Sequence, residues 1–133
     1  MGLPQLVQDE LILELLRDNY LNEERFARAY ARGKFRIKQY GRTRIKQELQ
    51  RKQIGAKLIE LALTEIDPDD YYDTLQTLAQ RIADQTREPH PYKKRKKCID
   101  FLLRKGYELD LILDVMPSVL QASDEESSTD FFE

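Results

Sequence analysis

The chain has 133 residues, of which 35% are charged, with no Trp and a formal net charge of −2, a length that suits one domain or a few small units stacked in series. Burial must come from Leu, Ile, Ala, Tyr and Phe at regular spacing, because there are no large indole anchors. Cys98 is the only cysteine, which excludes an internal disulfide and a multi-cysteine zinc site and fits a reducing, cytoplasmic setting.

Met1-Gly2-Leu3-Pro4-Gln5 has no basic segment followed by an apolar run, and no stretch reaches the roughly 18 apolar residues of a membrane helix, so neither secretion nor insertion is expected. Leu11, Ile12, Leu15 and Leu16 recur at helical spacing and predict an amphipathic helix over about 5–18, ending before Tyr20-Leu21. Asn22 is an N-cap candidate followed by Glu23 and Glu24, so a second helix is predicted to start there, with Phe26, Tyr30 and Ile37 on its inner side. Gly33 in its middle is read as a close approach or a bend. Tyr40-Gly41 interrupts the pattern, Ile45 and Leu49 carry a short helix to about Gln53, and Leu58, Ile59, Ala62 and Ile66 carry another, closed by Asp67-Pro68. No segment alternates with a period of two, so no strand is predicted.

The same order returns after Pro68. Tyr71, Leu75, Ala79 and Ile82 predict a long helix, Glu88-Pro89-His90-Pro91 a turn, Cys98 and Leu102 a short helix, and Leu111, Ile112, Val115 and Met116 the last. Leu49-Gln50-Arg51-Lys52-Gln53-Ile54 matches Leu102-Leu103-Arg104-Lys105-Gly106-Tyr107, which pairs Ile45 with Cys98, Leu58 with Leu111 and Ile59 with Ile112. The expected fold is all-α: tandem three-helix repeats in an elongated, curved array. Residues 1–21 are expected to be the last helix of a preceding repeat, 22–67 and 68–117 two complete repeats, and 118–133 an acidic tail without ordered structure.

The small net charge conceals a strong polarity. Between Arg25 and Lys57 stand Arg25, Arg28, Arg32, Lys34, Arg36, Lys38, Arg42, Arg44, Lys46, Arg51, Lys52 and Lys57, against the single acid Glu48. Arg25, Arg28, Arg32 and Arg36 fall on one helical stripe, and Arg44 and Arg51 extend it on the next helix. Like charges at that spacing repel by a few tenths of a kcal/mol per pair, so an unpaired run serves stability poorly and binding well. Arginine forks suit phosphates or carboxylates, which leaves DNA or an acidic protein groove as the target. Lys93–Lys97 is a second basic run, equally well read as a solvated face, and the acidic tail has the sign needed to screen the basic band. Cys98 is read as a buried thiol and His90 as a turn residue without a ligand role; no metal set, phosphate loop or nucleophile–base group is visible, so an enzyme is not expected and no cofactor is assigned.

The segment Asp18-Asn19-Tyr20-Leu21-Asn22-Glu23-Glu24-Arg25-Phe26-Ala27 resembles a signature of the RecX family, bacterial regulators of the RecA recombinase. Tyr40-Gly41-Arg42-Thr43-Arg44-Ile45-Lys46-Gln47-Glu48-Leu49 is similar to the family's glycine-started helix, and Phe101-Leu102-Leu103-Arg104-Lys105-Gly106-Tyr107 to its closing motif. Lys52-Gln53-Ile54 stands where the family has Lys-Gly-Ile, so Gln53 is expected to alter that turn. Family members usually begin with two further helices, and the acidic, Phe-ended tail is outside the common pattern.

The resemblance implies a protein of three-helix repeats that binds along the RecA–DNA filament and restrains its strand-exchange, ATPase and co-protease activities; a monomer is expected. The contact residues expected on this chain are Arg25, Arg28, Arg32, Lys34, Arg36, Lys38, Arg42, Arg44, Lys46 and Arg51, and changing both Arg28 and Arg32 to Glu should abolish inhibition with helix content intact. A stand-alone nucleic-acid-binding module and a scaffold for an acidic protein are the competing expectations.

Overall fold

The computed structural model describes residues 5–131, with side chains described from Gln8 to Leu120. Six helices follow in order, α1 (Gln5–Lys38), α2 (Arg42–Arg51), α3 (Ala56–Leu63), α4 (Pro68–Gln85), α5 (Pro91–Lys105) and α6 (Leu109–Phe131), with no strand among the described residues. None of these helices is long and apolar enough to cross a membrane.

The second half of α1 packs on α3 with α2 beside both, and α4 packs on α6 with α5 against both. No helix of one trio lies lengthwise on a helix of the other. The architecture is therefore two three-helix units joined at a narrow junction, although one continuous buried cluster runs through both from Ala27 to Val119.

The first two predicted helices are one. α1 runs unbroken for 34 residues through Asn22, which caps nothing. Extending a helix by one residue requires far less ordering than nucleating a new one, and residues 5–38 hold no proline and only Gly33 as a breaker. A Cβ on Gly33 would meet nothing within 4 Å, so that glycine does not serve a close approach, and α1 stays helical through it. The inner face of α1 also differs from expectation: Ala27 and Ala31 are fully buried, whereas Phe26 is 44% and Ile37 79% exposed. Small residues let α1 sit close against α3, and the larger neighbours are turned outward by the same register. Every residue from Asp9 to Asn22 is exposed, including Leu11, Ile12, Leu15 and Leu16.

The repeat register is visible in the backbone. Ile54 donates to the Leu49 carbonyl and Tyr107 to that of Leu102; Gln53 donates to Gln50 and Gly106 to Leu103. The residue that closes each turn is left-handed, Gln53 two places beyond α2 with φ 63° and Gly106 directly after α5 with φ 105°. The non-glycine residue thus keeps the turn and carries the strain itself. Asp67 both ends one unit and caps the next, accepting from the Asp70 N–H with Pro68 at the first helical position.

α6 also departs from expectation. Ile112, Val115, Met116 and Val119 are buried, which carries the helix past Pro117, and the backbone stays helical to Phe131 where ordered structure was expected to fade from 118. Leu113, whose carbonyl loses its donor to the proline, is solvent-facing, so water can satisfy it. Leu120, Gln121, Ala122, Glu125 and Glu126 are good helix formers, which favours continuation. Met1–Pro4, Phe132 and Glu133, and the side chains that were expected to screen the basic band, lie outside the described residues.

Candidate functional site: a cationic face and the junction between units

Two members of the arginine stripe, Arg28 and Arg32, are not free. Arg28 holds Glu65 of the α3–α4 connection at 3.0 Å and Glu24, one turn back on α1, at 3.1 Å; Arg32 reaches Glu65 at 3.4 Å. The Glu65 contact holds its carboxyl below the ordinary glutamate range, led by the hydrogen bond from Arg28, and raises the Arg28 guanidinium correspondingly. These two arginines clamp α1 to the end of α3, and the acids that neutralise them lie outside the 25–57 window in which the charge was counted. Reversing both would set new carboxylates beside Glu24 and Glu65, so helix packing would not survive that change untouched.

The remaining predicted cations have no carboxylate within ion-pair distance among the described residues, apart from Arg44, whose Nε is 3.8 Å from Glu48. Arg25, Arg36, Lys38, Lys46 and Arg51 are exposed. Arg36 lines a groove with Phe35, Gln39, Asp70, Asp73 and Thr74, so α4 acids temper its charge. Glu48 is largely committed to the Tyr30 hydroxyl, which donates to it at 2.7 Å; burial and that carboxylate push Tyr30 up to about 12.

Lys34, Arg42 and Arg44 lie on aromatic rings. The Arg42 guanidinium sits 4.0 Å from the Tyr71 ring centroid and Arg44 3.9 Å from that of Tyr40; Lys34 is within 5.8 Å of both Tyr30 and Tyr40. Contacts of this kind contribute about 0.5–1 kcal/mol at exposed sites.

The junction is built from two turns, 38–44 and 104–108. Gly41 N–H donates to the Lys105 carbonyl at 2.8 Å and Thr43 N–H to that of Gly106 at 3.0 Å. Arg44 donates to the Arg104 carbonyl, Lys105 to the Lys38 carbonyl and Arg81 to the Gln39 side chain. Tyr71 is fully buried between the units: its hydroxyl accepts from Arg42 N–H at 3.0 Å and donates to Glu108, and its ring packs on Phe35 and Tyr107.

This places two second-unit cations, Arg81 and Lys105, beside Lys38 and Arg44 of the first, with Arg104 meeting Arg44 through its backbone carbonyl. Burial, then repulsion from Arg44, Arg81 and Lys38, holds the Lys105 ammonium below its ordinary value. Sequence reasoning put Arg81, Arg104 and Lys105 outside the site. The signal was present in the repeat register, which aligns Lys105 with Lys52 of the basic band.

Cys98 is buried where Ile45 stands in the first unit, 3.9 Å from the Thr86 hydroxyl, and burial raises its thiol. His90 is the exposed residue before α5 and makes no side-chain cap.

Fold and site together define an all-α protein of tandem three-helix units with exposed cations on the first unit and a cluster of cations from both units at their junction. The RecX second three-helix domain matches residues 22–63 and the RecX third three-helix domain residues 69–116. The chain belongs to the RecX family. It is 26% identical over 132 residues to the Regulatory protein RecX of Streptococcus uberis, covering 98% of this chain and 50% of that protein. It is 36% identical over 101 residues to that of Clostridium perfringens, covering 74% and 47%, and 28% identical over 115 residues to that of Geobacillus kaustophilus, covering 86% and 43%. The chain thus spans about half the length of these curated relatives. No solved structure matches it.

Proposed function

We propose that this chain is a regulatory protein, not an enzyme, that binds RecA–DNA filaments as a cytoplasmic monomer and restrains their recombinase, ATPase and co-protease activities. Family membership supports the partner. The observation that carries the contact surface is the set of cations that form no ion pair among the described residues, Arg25, Lys34, Arg36, Lys38, Arg42, Lys46 and Arg51, on one unit of a nearly neutral protein. A cationic face held on a rigid helical frame raises the local concentration of a polyanion and steers its approach. Arg28 and Arg32 support that face by fixing α1 on α3.

The test is a titration of RecA filaments with this chain, reading ATP hydrolysis and filament affinity together. Inhibition with tighter binding to filaments than to bare DNA is expected. Equal affinity for both would replace this reading with a stand-alone, sequence-independent nucleic-acid-binding module, which the self-contained cationic face would also serve.

A further inference from the structure

Three half-buried rings and the cations lying over them form an interleaved line that crosses from one unit to the other. Tyr30 carries Lys52 at 5.5 Å and Lys34 at 5.3 Å; Tyr40 carries Lys34 at 5.8 Å, Arg44 at 3.9 Å and Lys105 at 5.5 Å; Phe101 carries Lys105 at 6.0 Å. Lys34 and Lys105 are each shared between two rings, which makes the line continuous from the end of α2, along α1 and through the junction, to α5.

We propose that this line is a track for the phosphodiester backbone of a nucleic acid, gripped through its phosphates and without stacking of its bases. The inference rests on the reading that the basic face takes up a polyanion, and narrows it to one path with a stated contact chemistry. Bases stack on open ring faces, whereas here Tyr30, Tyr40 and Phe101 are half-buried and have cations over them. Each ring serves instead to hold ammonium and guanidinium groups in place, so little side-chain entropy is lost when a phosphate arrives.

The centre of a protein–protein contact is depleted in charge and built on apolar anchors, and this line has a cation at every step. Repulsion is already present at Lys105, where Arg44, Arg81 and Lys38 crowd a partly buried ammonium; a phosphate between them relieves it.

The experiment is anisotropy titration of the full chain with labelled mixed-sequence DNA, single-stranded in one arm and duplex in the other, across a salt series. Lys34→Gln and Lys105→Gln are tested separately, with Lys96→Gln, exposed on α5 and off the line, as the control. Each line variant should lower the slope of log affinity against log salt by about 0.7 on single strands or about 0.9 on duplex, one phosphate contact each, while Lys96→Gln leaves it unchanged. The Lys34 side chain makes no hydrogen bond among the described residues, so its variant remains informative even if Lys105→Gln, which removes the bond to the Lys38 carbonyl, loosens the junction. 2-Aminopurine in the bound strand should keep its free-strand fluorescence.

Unchanged slopes in both variants of a chain that binds DNA would overturn the track and leave the basic-face reading standing. Quenching of 2-aminopurine would overturn the phosphate-only grip. Displacement of the DNA by polyglutamate at equal charge would overturn the choice of nucleic acid over an acidic protein, and no DNA binding at low salt would overturn the underlying reading itself.

Discussion

Gly41 and Gly106 meet backbone to backbone across the junction, so closely that a Cβ on Gly41 would overlap the Gly106 carbonyl group, and a Cβ on Gly106 would overlap Arg44. The contact lets Gly41 N–H reach the Lys105 carbonyl and Thr43 N–H that of Gly106. Gly41→Ala and Gly106→Ala are each expected to lower stability in chemical denaturation by about 1–3 kcal/mol through forced displacement. Gly106→Ala adds the strain of its positive φ. Gly33→Ala, in open space, should instead raise stability by about 0.5–1 kcal/mol. An unchanged denaturation midpoint for Gly41→Ala would show that the two turns do not meet.

The Glu65 carboxyl titrates below its ordinary value in the folded protein because Arg28 holds its charged form. A depressed folded-state value means that the unfolded chain takes up the proton first as pH falls. The stabilisation is therefore complete above the ordinary glutamate range and lost as the pH drops through the folded value. Thermal melts of the wild type and Glu65→Gln should differ most near neutral pH and converge in acid. A gap that stays constant from neutral to acid pH would remove the Arg28–Glu65 clamp from the account.

Gln53 holds a left-handed conformation with φ 63° at the position that Gly106 fills in the other unit. Gln53→Gly should raise stability by about 1 kcal/mol, since a side chain in that conformation costs roughly 1–2 kcal/mol and glycine gives back part of it in chain entropy. Denaturant midpoints check this, and a loss of stability would show that Gln53 is held by contacts that outweigh its strain.

The Tyr71 hydroxyl links Arg42 N–H in one unit to Glu108 in the other. Tyr71→Phe leaves the ring packing on Phe35 and Tyr107 in place but strips both partners, and should destabilise by about 1–3 kcal/mol. Hydrogen exchange at the Arg42 amide should accelerate more than at Leu49 in the middle of α2. Equal acceleration at both would mean that the loss is global and that the junction holds no separate link.

Much of the fold was legible because it is local. Helix type follows from apolar spacing, and the two units announce themselves through the match of Leu49–Ile54 with Leu102–Tyr107, whose turns make the same backbone hydrogen bonds and whose leading leucines are both fully buried. Where the reading failed, the reason was competition between neighbouring signals. Asn22-Glu23-Glu24 has the chemistry of a helix start, but nothing before it ends the preceding helix, so propagation won.

The sequence by itself determined the all-helical class and the sign of the charge, because each depends on residues a few positions apart, and the repeat register, because it is a match between two short segments. Only the tertiary structure decided which charges are available. Glu65 lies far along the chain from Arg28 yet neutralises it, while Lys105 and Arg81, remote in sequence, gather beside Arg44 and Lys38. Charge interaction follows distance in space, and the turns at Gly41 and Gly106 set those distances when they lock together.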